Sequence, residues 1–137
     1  MGNVSRETRL FFIIFLSFLI IGILIPGCGE DSITEDISGF NKKIEARTDI
    51  KDAEELMKMY HEHRYGEDTS NIVIEGEKLY SNRHRITLIK NGSSGQAEKL
   101  VMVAKVEKTK WKVLMVERNW RCISDKGESD WGLERCE

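Results

Sequence analysis

Arg85-Ile86-Thr87-Leu88-Ile89, then Leu100 to Val106, then Trp111-Lys112-Val113-Leu114-Met115-Val116 are the segments that decide how this chain folds. Each is short and rich in β-branched, aromatic or other large apolar residues, the composition that suits a pleated, half-buried surface. Turn chemistry separates them. Asn91-Gly92-Ser93-Ser94-Gly95 divides the first from the second, and Lys108-Thr109-Lys110 predicts a tight hairpin between the second and third. Ile72-Val73-Ile74 adds a strand upstream. Four antiparallel strands in chain order are therefore expected, and such a sheet needs its apolar face covered.

The cover lies just upstream, where the apolar period changes. Ile50, Ala53, Leu56, Met57 and Tyr60 make the stripe of an amphipathic helix, which Thr48 or Asp49 can cap and Gly66 stops. Further upstream, Ser32-Ile33-Thr34-Glu35 has capping-box spacing. Ile33, Ile37, Phe40 and Ile44 follow on one helical face, weakened at Gly39 by about 1 kcal/mol relative to alanine. The expected fold class is α+β: one or two amphipathic helices on a four-stranded antiparallel sheet. An N-terminal signal or anchor helix precedes them and a disulfide-closed loop follows. Residues 48–137 make the domain, and residues 28–47 a tether, acidic from Gly29 to Asp36, with a short helix. Over roughly residues 48–120 this element order, with the Lys110-Trp111-Lys112-Val113 strand, is similar to cystatin-like and nuclear-transport-factor-like folds that recur in small bacterial lipoproteins. That resemblance implies an architecture and no activity.

The first residues carry an address. Met1 to Arg9 is polar with Arg6 and Arg9, and Leu10 to Ile25 is apolar except for Ser17 and Gly22, before Pro26-Gly27-Cys28. A charged start, an apolar middle and a small residue before the cut describe a secretory signal. Ile25 three before the cysteine and Gly27 just before it resemble the bacterial lipoprotein signal. The resemblance implies that the Cys28 sulfur takes a diacylglycerol, that residues 1–27 are removed, and that the new amino terminus receives a further acyl chain such as palmitate. Two or three acyl chains anchor far more firmly than one. Pro26 departs from the pattern, which has a small residue there. Gly29 rather than aspartate after the cysteine implies, by likeness to Gram-negative lipoproteins, transfer to the outer membrane. The other reading is an uncleaved single span, because Leu10 to Gly29 holds no charge and is long enough to cross a bilayer. Both readings place the domain on the exported side, periplasmic or extracellular, since the arginines flank the cytoplasmic end.

Composition narrows the function classes. The chain has 137 residues and a formal net charge of −2, and the leader's Arg6, Arg9 and Glu7 leave the remainder near −3. Nucleic acid is not an expected partner, since it calls for a basic excess. One proline in the chain argues against a proline-rich linker. If Cys28 carries lipid, Cys122 and Cys136 remain as a pair, which in an exported chain favours a disulfide. The closed loop of about 15 residues is worth about 3 kcal/mol in the chain-entropy model. The alternative, a metal site, lacks a second pair of ligands at suitable spacing. Trp120-Arg121-Cys122 ahead of this loop resembles the carboxy-terminal disulfide loop of type IV pilins. The hydrophobic segment departs from the pilin pattern, having no acidic residue between Leu10 and Ile25.

No catalytic constellation emerges. His61 and His63 are two apart on a helix and point to nearly opposite faces, so surface histidines are expected rather than a zinc pair. His84, in Asn82-Arg83-His84-Arg85, is expected on a solvated strand edge. Glu54, Glu55, Glu62 and Glu67 suit a solvated helix face better than acid–base work. The glycine-rich Asn91 to Gly95 precedes a strand, not a helix, so it does not cradle phosphate. Trp120 and Trp131 are the candidate contact residues. Trp131 is either an exposed aromatic anchor or, the favoured reading, a plug packed on the sheet. The expected protein is a non-enzymatic lipoprotein without cofactor or metal, held by membrane lipid through Cys28 and working on an envelope protein. The alternative is a small-ligand binder with a pocket lined by Met102, Met115 and Tyr60.

Overall fold

The computed structural model describes residues 31–66, 71–92, 95–124, 127–133 and 136. Cys28 and the whole leader, including the expected signal helix, lie outside the described residues. The fold is α+β. In chain order it runs β1 (Ile33–Thr34), α1 (Ser38–Ile44), α2 (Ala53–Tyr65), β2 (Ile72–Lys78), β3 (Arg83–Asn91), β4 (Gln96–Glu107), β5 (Lys110–Ser124) and β6 (Gly127–Glu128). The expected meander is present as β2 to β5, and β1 joins it on the far side of β5, so the sheet order is β1-β5-β4-β3-β2 with every pairing antiparallel. β6 folds back on the end of β5.

The fifth strand corrects the sequence reading. Ser32-Ile33-Thr34-Glu35 does not cap a helix. Ile33 and Thr34 pair with Arg118 and Glu117 of β5, and the Glu35 amide donates to the Val116 carbonyl at 2.8 Å. Two β-type residues beside a long strand with unpaired edge groups satisfy more backbone as strand than as a frayed first turn. α1 starts only at Ser38, whose amide donates to Asp36 Oδ1 at 2.9 Å. Phe40 and Ile44 keep the expected face and are buried. Asn41 then holds β5 where β1 ends: its side chain donates to the Val113 carbonyl and accepts from the Val113 amide, both at 2.9 Å.

The strong helix is as expected at its end and shifted at its start. Asp52 caps α2 by accepting from the Glu55 amide at 2.8 Å, and Glu55 reaches back to accept from the Lys51 amide at 2.7 Å. The cap is thus neither Thr48 nor Asp49, and Asp49 is bound instead to Arg47, which holds its carboxyl down at about 2. Gly66 ends the helix at φ 87°, a conformation that costs glycine nothing.

Strand register sorts the two faces. Ile86, Leu88, Leu100, Met102, Ala104, Val113 and Val116 face the helices and form one core with Phe40, Ile44, Leu56, Met57 and Tyr60. A bulge at Leu114, opposite Val103 and Ala104, resets β5 so that both its halves keep apolar side chains inward. The Trp111 indole donates to the Ile50 carbonyl at 3.2 Å and pins the segment between the helices to β5.

Candidate functional site

β1 and the C-terminal loop meet at one end of the sheet. The first described residue, Asp31, accepts from Asn119 Nδ2 at 3.5 Å. One residue further along β5, Trp120 exchanges backbone hydrogen bonds with Gly132 at 2.8 and 2.9 Å. Register makes this arrangement necessary. β1 antiparallel to β5, with Ile33 opposite Arg118, directs the preceding chain towards Asn119 and Trp120. The loop returning from β6 occupies the same edge of β5.

The loop is closed by the Cys122–Cys136 disulfide, as the cysteine count predicts. Local bonds hold its first part. Ser129 Oγ accepts from the Cys122 amide and the Ser129 amide donates to the Cys122 carbonyl, both at 2.8 Å. Gly95 fits beneath it at φ +74°, its carbonyl accepting from the Ile123 amide at 2.6 Å. A β-carbon there would lie 2.6 Å from the Ile123 carbonyl oxygen, closer than side chains tolerate, so the turn requires glycine.

The two candidate tryptophans have separate fates. Trp120 faces the helix side, is 4% exposed, and has the Arg118 guanidinium over its ring at 4.9 Å. It packs inside the fold and lines the edge of a surface cleft. Trp131 is half-buried on the opposite face, its ring 4.5 Å from Lys99 Nζ and 4.7 Å from the Arg121 guanidinium. Packing is the favoured reading of this residue, and the structure places it between two cations. Ile33, Ile123 and Leu133 stand around this end with 41%, 39% and 48% of their surfaces exposed.

Behind the loop lies a charged cluster that the sequence reading missed. Glu35, with a side chain 4% exposed, has Oε1 at 2.7 Å from Arg118 Nε and Oε2 at 3.2 Å from Arg64 Nε. Arg118 also donates to the Tyr65 hydroxyl at 3.1 Å and lies 3.5 Å from Glu98. The signal was in the pattern: Val116, Arg118 and Trp120 alternate onto one face of β5, so a charge at a core position demanded a partner. Burial, with the Glu35 charge second, pushes the Tyr60 phenol up to about 12. Burial and then Glu98 raise Tyr65. A cleft of about 290 Å³ opens beside this cluster between Tyr65, Lys90, Glu98 and Trp120. The cluster's charged groups face one another and join β1, α2 and β5.

The histidines correct another expectation. His61 is 1% exposed with its ring 5.2 Å from that of Tyr65, whereas His63 is exposed beside Phe40, so the two do occupy opposite faces but only one is a surface residue. His84 is half-buried on β3, which pairs on both sides, and its ring lies 5.1 Å from Trp111. It is therefore not on an edge. Tyr60, Met102 and Met115 line no common pocket: the first two are buried in the core, and Met115 pairs with Val103 on the outer face. Among the described residues no cluster of three or more His, Cys, Asp or Glu is arranged to hold a metal ion. No helix among them is long and apolar enough to cross a membrane. The chain matches no family model, no curated protein and no solved structure.

Proposed function

We propose that this chain is an exported lipoprotein, acylated at Cys28, whose α+β domain works by contact as an accessory module of a bacterial envelope, not as an enzyme. One observation carries the proposal. Cys122 and Cys136 are bonded to each other, which leaves Cys28 as the single cysteine without a disulfide partner in the chain. It stands at the end of an uncharged apolar run, three residues ahead of Asp31, the first described residue, which is bound to Asn119 of β5. A disulfide suits an oxidising compartment. The charged cluster supports the non-enzymatic part, because its carboxylates and guanidinium groups are engaged with one another. A helix laid across a meander supports kinship with cystatin-like or nuclear-transport-factor-like lipoprotein domains in architecture alone.

The test is intact mass of the membrane-extracted protein, before and after reduction and thiol alkylation. The expected mass is that of Cys28 to Glu137 plus acyl chains, with two thiols that alkylate only after reduction. A full-length mass without lipid makes Leu10 to Gly29 a membrane span and removes the lipoprotein assignment.

A further inference from the structure

The direction of β1 has a consequence for which part of the domain meets the membrane. Cys28 precedes Asp31 by three residues, which span at most about 11 Å when fully extended. In the uncleaved reading the apolar run ends at Gly29, nearer still. Asp31 is tied to Asn119 on the edge of β5, next to the Trp120–Gly132 pairing. Either anchor therefore brings the stapled loop down to the bilayer surface.

The side chains at this end suit that position. Ile123 and Leu133 are large, apolar and exposed, and they lie outside the core. Trp131 shares the outer face with Ile123 and Leu133, since it flanks Gly132 opposite Trp120, and has Lys99 and Arg121 against its ring. An amphipathic indole next to long basic side chains is what the boundary between headgroups and acyl chains accommodates. From Ile123 to Arg135 the loop carries Asp125, Glu128, Asp130 and Glu134 against Lys126 and Arg135. Its own charge is thus negative, and anionic headgroups do not draw it in. The attraction is apolar.

We infer that the Cys122–Cys136 loop is a membrane-contact surface: Trp131, Leu133 and Ile123 insert at the lipid–water boundary and fix the domain's orientation, leaving the opposite end, with the β4–β5 hairpin, facing away. This rests on the membrane-anchoring reading and assigns the loop to lipid rather than to a protein partner.

The full chain, extracted from membranes and reconstituted into phosphatidylcholine vesicles with brominated acyl chains, tests it through tryptophan quenching. Trp111 and Trp120 are 7% and 4% exposed, so quenching should come from Trp131. Wild type should be quenched, Trp131→Phe should lose that quenching, and added salt or anionic lipid should leave it unchanged. The double variant Ile123→Ser/Leu133→Ser, at exposed positions outside the core, should lower the quenching with the near-ultraviolet circular dichroism intact. Protein that floats with the vesicles but is quenched no more than Trp131→Phe overturns the contact surface and leaves the anchor standing. Protein that does not float overturns both.

Discussion

Glu35→Ala removes the carboxylate that joins β1, α2 and β5, and its cost can be worked from the surroundings of its two partners. Arg64 is 52% exposed, so its pair contributes about 0–1 kcal/mol. Arg118 is 14% exposed against a Glu35 side chain at 4%, and deleting one partner of so buried a pair costs about 3–5 kcal/mol. Arg118 keeps Tyr65 at 3.1 Å and Glu98 at 3.5 Å, which partly compensate its charge and place the loss near the lower bound, about 3 kcal/mol. Against a domain stability of about 5–15 kcal/mol this is a large fraction. Urea unfolding should show a lower midpoint at an unchanged slope. Hydrogen exchange should speed up at the Glu35 amide, which now donates to Val116. In Glu35→Ala/Arg118→Met the loss should be smaller than the sum of the single losses, because no charge is left buried. A Glu35→Ala loss below about 1 kcal/mol, the range of an exposed pair, would refute the reasoning. The functional stake is the tether: with β1 released, the reach from Cys28 grows from about 11 Å at Asp31 to about 36 Å at Ser38.

Three further outcomes follow from the same geometry. Cys122→Ala/Cys136→Ala should lower stability by up to about 3 kcal/mol in urea titration while the helix–sheet core stays folded, since no loop residue belongs to that core; loss of all cooperative unfolding would contradict this. Gly95→Ala forces a β-carbon against the Ile123 carbonyl at positive φ, and should cost at least about 1–3 kcal/mol by thermal denaturation. Tyr60 is raised from 10.0 to about 12 mainly by burial, so the unfolded chain ionises first as the pH rises. Its contribution is whole below about pH 10 and is lost as the pH passes through about 12. Tyr60→Phe, which deletes a buried hydroxyl with no hydrogen-bond partner among the described residues, should flatten that alkaline loss and stabilise by about 1 kcal/mol at neutral pH; an unchanged alkaline profile would count against it.

What could be read from the sequence were the features carried by local period and by counting. Ile50 to Tyr60 repeat at helical spacing, Gly66 stops that helix, and the β-rich runs alternate between turn clusters, so α2, the meander and its hairpins follow from short-range chemistry. The cysteine arithmetic paired Cys122 with Cys136 in the same way. Tertiary structure decided the rest. Ile33-Thr34 fits a helical face as well as a strand, and the unpaired edge of β5, some eighty residues away, settles the choice in favour of the strand. Glu35 has the spacing of a capping residue and becomes a buried ion partner only because that pairing carries it to Arg118. His61 and His63 are alike in sequence, and which of them is buried depends on where the sheet lies. The meeting of the tether with the stapled loop is likewise invisible in the chain order, because it depends on the direction of β1 and on which edge of β5 the loop regains. Local preferences amount to tenths of a kcal/mol per residue, whereas edge pairing and a buried charge are worth kcal/mol each, so long-range partners prevail wherever the local signal is even.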